Sequence, residues 1–312
     1  MPVTMFGAAM GLCGLALVTR AAHDVLAVPA WLGELWAWIG IVVYAILLGG
    51  YLRKLVEHPD AVRAELANPA TLGFFGTITI ATALAAGCLG PYAPDAARVL
   101  WWIGAIGMIV VQVYAMSRWL AGGIELGQVN TGWMIAFIGP VPVAVPGLLS
   151  GELEAARVLF GLSAMATPLI VGLVLHRTIL GPPMPDAIKP TTFILLVPVA
   201  LIYAYAPRLW GVAPGAFLDS LFLFDLVMTA ALLLYARRAF RWPFGPAWWA
   251  FTFPLDAVAV AGLAFAQFHP TPIGLAIAWA LWGLATVVVL VVLVRTLLSF
   301  TRGTLFVAPK AA

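Results

Sequence analysis

The chain has 312 residues, 63% of them hydrophobic and 9% charged, with 16 Lys and Arg against 13 Asp and Glu for a net charge of +3. So apolar a composition excludes a soluble globular protein and points to an integral membrane one. A small positive surplus on such a chain reports membrane topology rather than affinity for nucleic acid.

A membrane-spanning helix needs about 20 mostly apolar residues. Ten stretches meet that need or approach it: 3–20, 32–54, 71–89, 98–120, 133–149, 158–176, 191–206, 216–239, 247–266 and 273–297. The first reads as a retained helix rather than a leader, since Met1-Pro2-Val3-Thr4 carries no basic residue and Gly7, Gly11 and Gly14 recur at helix-packing spacing. The connections are short and none is polar enough for a soluble domain. Residues 1–312 therefore read as one transmembrane channel or transporter domain with an all-α fold of ten spanning helices.

Every second stretch is interrupted. The fifth carries Pro140 and Pro142, the seventh Pro198, the ninth Pro254, while the first has Gly11 and the third Gly76 followed by Thr77 and Thr79. These positions lie roughly 10 Å from the start of each stretch at 1.5 Å rise per residue. Among the even-numbered stretches Pro168 is the exception to a smooth pattern. A helix in hydrocarbon can lose a backbone hydrogen bond only where protein or water restores it. The odd-numbered helices are therefore expected inside, around a wet or mobile axis, and the even-numbered ones outside, facing lipid. The interrupted stretches begin near residues 3, 71, 133, 191 and 247, intervals of 68, 62, 58 and 56, which is close to a repeat of one hairpin. Five hairpins can close into a quasi-fivefold ring, with the odd-numbered helices lining a central pore. An odd number excludes a simple pair of inverted halves.

Orientation follows Lys and Arg. One side collects Arg53, Lys54, Arg63, Arg118, Arg177, Lys189, Arg237, Arg238, Arg241, Arg295, Arg302 and Lys310, and the other has Arg20, Arg98, Arg157 and Arg208. This puts both termini in the cytoplasm of a multi-pass plasma-membrane (bacterial inner-membrane) protein. The inner helices then start from the cytoplasmic side, and their N-terminal dipole ends, with Lys189 at one of them, give a mouth that favours anions. His176 and Arg177 read as interfacial anchors. Cys13 and Cys88 lack metal-ligand spacing, no nucleotide loop or nucleophile-base pair is present, and no cofactor is expected.

Five strings carry a family resemblance: Phe6-Gly7 through Gly11, WWIGAIG at 101–107, Gly122-Gly123, WWAFTFP at 248–254 and FTRGTLF at 300–306. Together, in order and on ten spans, they resemble the tellurite-resistance/dicarboxylate transporter family. That family includes the bacterial TehA-type proteins, a fungal malate permease, fungal sulfite exporters and the slow anion channel of plant guard cells. The resemblance implies ten helices per protomer, odd-numbered helices at a pore and association as a homotrimer. It also implies an occluding phenylalanine at Phe253, whose ring sits beside Gly7. Phe6, Gly7, Gly11, Gly76, Pro142, Pro198 and Pro254 are the expected pore-lining set. The chain departs from the pattern at Ala9, where proline is common, and at Asp256, where a small or neutral residue is usual.

Asp225 and Asp256 lie well inside their spans, and a charged Asp there costs a few kcal/mol, so each needs a partner, water or a proton. Asp225, on an even helix, reads as a hydrogen-bonded structural group. Asp256 is a possible proton or selectivity site: it is protonated at the pore, turned toward the outer helices, or engaged in proton-coupled transport. The expected function is an anion channel or channel-like transporter for a small inorganic anion or carboxylate, in a lipid bilayer. Proton-coupled movement of a dicarboxylate or sulfite, or tellurite-resistance-type efflux, is the alternative. An intramembrane enzyme would need more polar residues than the inner helices supply, and a sensor or scaffold would need only a sealed ring.

Overall fold

The computed structural model describes residues 1–306, and every regular element in it is helical. Among the described residues nine helices are long and apolar enough to cross a membrane, and a bent pair makes a tenth. In chain order they are Val3–Leu26, Ala30–Glu57, Pro69–Leu89, Pro94–Leu120, the pair Gly132–Ile138 and Pro140–Leu149, Leu153–Leu180, Lys189–Trp210, Ala216–Arg241, Pro246–Phe268 and Pro272–Thr301. They overrun the apolar stretches because hydropathy marks only the hydrocarbon layer, whereas the helices continue through the headgroup region.

Burial divides them as the interruptions do. Between 72% and 83% of the most apolar window is buried in the first, third, seventh and ninth helices, against 28% to 39% in the five even-numbered ones. The first helix packs on the third, the third on the fifth, the fifth on the seventh, the seventh on the ninth, and the ninth on the first again. Each odd-numbered helix also packs on the even-numbered one that follows it. Exposed Ile103, Ile106, Met165, Leu169, Val227 and Val294 on the even-numbered helices form an outward apolar face suited to lipid.

The inner helices change character at their starts. The seventh begins as the 3₁₀ segment Lys189–Leu196 and becomes α-helical at Val197, next to Pro198. The ninth begins as Pro246–Phe251 in the same form and turns α-helical at Thr252, just ahead of Pro254. Proline has no N–H for the carbonyl four residues back, and the tighter 3₁₀ bonding uses the carbonyl three back instead. Threonine hydroxyls reinforce the tight turns, with Thr77 donating to the Phe74 carbonyl at 2.6 Å, Thr191 to Ile188 at 2.7 Å and Thr252 to Trp249 at 2.7 Å. The third helix changes at Gly76, as the sequence suggests. The first changes at Phe6, and Gly11 lies within continuous α-helix rather than at a break, because a glycine there keeps its N–H.

The fifth helix bends by 44° around Gly139, where Pro140 and Pro142 remove two of three successive donors. The outer helices answer for the backbone. Ser163 of the sixth donates to the Phe137 carbonyl at 2.8 Å and Gln112 of the fourth reaches the same oxygen at 3.3 Å. Trp101 of the fourth donates its indole N–H to the Val143 carbonyl at 2.8 Å. At the opposite end Arg20 grips Glu34 through Nε at 3.0 Å and Nη2 at 2.8 Å while donating to the Cys88 carbonyl at 3.1 Å, tying three helices together. Arg98 pairs with Glu152, and Arg157 pairs with Glu154 and donates to the Leu209 carbonyl at 2.6 Å. Lys310 lies outside the described residues.

The supports at Phe137 are testable. Ser163→Ala with Gln112→Leu is expected to lower stability in detergent by about 1 kcal/mol, the scale of a polar contact between membrane helices. Thermal unfolding of the purified protein measures it, and an unchanged midpoint would mean that the bend needs neither donor.

Candidate functional site

The inner helices enclose two cavities in line. The larger, about 410 Å³, is lined from the starts of the five odd-numbered helices: Thr4, Gly7 and Met10 of the first, Phe74 and Thr77 of the third, Ile138 and Pro142 of the fifth, Thr191 and Ile194 of the seventh, and Trp249, Phe253 and Pro254 of the ninth. The smaller, about 40 Å³, lies further along the same five helices and is lined by Gly14, Leu84, Val145, Leu201, Tyr205 and Asp256 among others. No residue of an even-numbered helix lines either.

Phe253 and Pro142 belong to the walls of both cavities. Phe253 is 7% exposed. A phenyl ring on one side and a pyrrolidine ring on the other offer nothing to hold water in a narrow passage.

Among the described residues the wall of the large cavity has no charged side chain. Its polar groups are threonine hydroxyls, Asn130 and backbone. Asn130 is already committed, donating to the Ala70 carbonyl at 2.9 Å and accepting from the Gly132 N–H at 2.7 Å. The indole N–H of Trp249 is buried without a hydrogen-bond partner. Lys189, expected to lend its charge to the mouth, is instead ion-paired with Asp186 and lies over the Trp242 ring at 5.7 Å. An i, i+3 carboxylate compensates the charge before a solute meets it.

Several sequence expectations shift in place. Gly7, Pro142 and Pro254 are on the large cavity wall, and Phe253 is on both walls. Phe6 is fully buried and turns outward, meeting the Tyr51 ring of the second helix edge-on at 5.8 Å. Gly11 and Gly76 are helix-packing positions: a Cβ at Gly11 would strike the Thr252 hydroxyl, and one at Gly76 would lie 2.8 Å from Ile135 Cγ2. Pro198 is buried but absent from both walls, which its neighbours Val197 and Leu201 line instead.

The glycine beside the Phe253 ring is Gly14 rather than Gly7. A Cβ built on Gly14 would lie 3.0 Å from Phe253 Cδ2 and 2.7 Å from Asp256 Oδ2, whereas one on Gly7 meets Trp249 Cβ at 3.2 Å. Gly7, Gly11 and Gly14 thus form one stripe that packs along Trp249, Thr252, Phe253 and Asp256 of the ninth helix. Gly14 stands seven residues, about two turns or 10 Å, beyond Gly7.

Asp256 faces the small cavity and is 3% exposed, and neither of its carboxylate oxygens has a hydrogen-bond partner. Its outward-turned alternative is thereby removed. Asp225 is 1% exposed and its Oδ2 has no partner, so it is not the hydrogen-bonded group that its scaffold helix suggests. Arg177 is buried too, donating to the Pro182 carbonyl at 2.9 Å, and is not an interfacial anchor. Trp249, Gly14 and Tyr205 were missed from sequence, although the glycine spacing marks the first-helix stripe.

Broken spanning helices around two apolar cavities, with one acid on the smaller, define the class of multi-pass transport proteins. Residues 1–297 match the family model described as voltage-dependent anion channel, and the chain belongs to that family. It is similar to an uncharacterized transporter of Methanocaldococcus jannaschii, 26% identical over 96% of this chain and 95% of that protein. It is also similar to the S-type anion channel SLAH3 of Arabidopsis thaliana, 26% identical over 98% of this chain and 49% of that protein. A third relative is the tellurite resistance protein TehA homolog of Haemophilus influenzae, 27% identical over 40% of this chain and 38% of that protein. The chain thus spans about half the length of the plant channel.

The revised ring contact gives a prediction. Gly14→Val is expected to destabilise the protein by about 1–3 kcal/mol through overpacking, and Phe253→Ala in the same chain is expected to recover part of that loss. Gly7→Val, pressed on Trp249, is expected to gain nothing from Phe253→Ala. Unfolding midpoints of the four variants check this, and equal rescue of both glycine variants would return the ring contact to Gly7.

Proposed function

We propose that the chain conducts small anions through the two cavities and that Phe253 is the gate between them. The observation that carries this reading is that Phe253 is shared by the walls of the large and small cavities, on the axis where the five broken helices meet. Among the described residues the large cavity has no carboxylate to coordinate a cation and no basic group to trap an anion. A weakly hydrated anion can enter such a chamber, contact its threonine hydroxyls, and leave again. Conduction requires binding that weak.

The reading extends the family's plan: residues 1–312 as one transmembrane unit, five hairpins in a quasi-fivefold ring, both termini in the cytoplasm and three protomers associating in a plasma membrane, bacterial inner membrane by the resemblance. The excess of Lys and Arg on the side where the odd-numbered helices begin supports the orientation. Under this reading Phe253, Gly7, Pro142, Pro254 and Gly14 act at the pathway, and the protein carries anions without catalysing a reaction.

Removing the ring tests the gate. Phe253→Ala is expected to raise anion current in planar bilayers by about tenfold or more, the effect of lowering a barrier by about 1.4 kcal/mol. Current equal to that of the unsubstituted protein, in variant protein that folds normally, would remove Phe253 from the role.

A further inference from the structure

Behind Phe253 the pathway meets an unpaired acid. Asp256 lies three residues on from the ring, on the small cavity, where Tyr205 is the other polar side chain of the lining. Among the described residues no basic group answers it. On the helices packed against the ninth, Arg20 holds Glu34, His23 meets the Val28 carbonyl, Arg208 reaches Gln267, and Asp219 pairs with His269. Arg295 stacks on Trp248 at 4.3 Å near the start of the ninth helix, Lys189 pairs with Asp186, and Cys13, Asp24, Tyr203, Asp225, Tyr235, Arg237, Arg238 and Arg241 complete the titratable groups of those helices. None of them makes a hydrogen bond to the Asp256 carboxylate.

We propose that Asp256 is a valence filter on the far side of the gate: with its carboxylate ionised, the small cavity turns back doubly charged anions and passes singly charged ones. The proposal rests on the reading that the two cavities form one pathway. Repulsion between fixed and mobile charge scales with their product, so a dianion meets twice the barrier of a monoanion at the same distance. The cavity is narrow and the carboxylate has no counter-charge or hydrogen bond to spread its field, so screening there is weak. Asparagine would fill the same space with no charge. As pH falls and the carboxyl gains a proton, the repulsion goes, and total flux rises while discrimination between monovalent and divalent anions declines. The substrate class is accordingly a monovalent inorganic anion or the singly charged form of a weak acid, and a fully ionised dicarboxylate is excluded when the filter is charged.

Proteoliposomes containing the full chain test this with nitrate and sulfate, because sulfate keeps its double charge across the range from about pH 5 to about pH 8. Unsubstituted protein and Phe253→Ala are expected to favour nitrate, more so at the higher pH. Asp256→Asn, alone and with Phe253→Ala, is expected to cut the nitrate-to-sulfate ratio at least about tenfold at the higher pH and to flatten its pH dependence. Asp256→Glu is expected to keep both. A nitrate-to-sulfate ratio in the unsubstituted protein that is independent of pH overturns the filter without any variant. So does an unaltered ratio in Asp256→Asn when Phe253→Ala still raises nitrate flux, and in that case the gate stands. Flux that Phe253→Ala leaves unchanged overturns the pathway itself, and the filter with it.

Discussion

The structure depends on one constraint: a backbone carbonyl that loses its helical partner in hydrocarbon must be answered by protein. The odd-numbered helices change from tight 3₁₀ starts to α-helix or bend at proline, so their backbones are poorly suited to face lipid. They are held inside, and donors from outside reach in to them. Around the bend of the fifth helix, Ser163 and Gln112 converge on the Phe137 carbonyl and Trp101 on that of Val143, close to the carbonyls that Pro140 and Pro142 leave without a helical N–H, each from an even-numbered helix. Threonines on the inner helices close the tight 3₁₀ turns from within. The division into a smooth outer layer and a broken inner one is the consequence, and the two cavities occupy the space that the broken starts leave open.

The first and ninth helices carry the chemistry of that space. Their contact is made by glycines against large or polar side chains, with Gly7 on Trp249, Gly11 on Thr252 and Gly14 on Phe253 and Asp256. Missing Cβ atoms let the ninth helix approach closely enough for its side chains to share the axis. The Phe253 ring thereby reaches both cavities, and the same approach seats the Asp256 carboxylate one turn further on. Gate and filter would then be neighbouring features of a single helix face, with Gly14 setting the clearance of both.

Electrostatics are arranged by exclusion. Several charges at the far end are paired, as in the grip of Arg20 on Glu34, and Lys189 is compensated by Asp186 before the cavity begins. What remains on the axis is one carboxylate without a counter-ion. An ionised carboxylate so placed is costly to keep, and under the proposed reading it stands where it would act most strongly on a passing ion.

Much of this was legible in the sequence. Hydropathy located all ten spans, and proline and glycine on alternate stretches separated inner from outer helices, because backbone hydrogen bonding in lipid is a local rule that every residue must obey. The same rule placed the breaks at Gly76, Pro140, Pro198 and Pro254 to within a few residues. Rotation and register were decided only by the tertiary structure. The inner helices are apolar on every side, so no amphipathic stripe tells which face looks at the axis. That is why Phe6 turned out to meet Tyr51, why Pro198 lies behind its neighbours, and why the ring sits two turns along the first helix, at Gly14. The fate of the two acids was hidden for the same reason: Asp225 and Asp256 look alike in sequence, and only the packing of neighbouring helices leaves one walled in and the other facing a cavity.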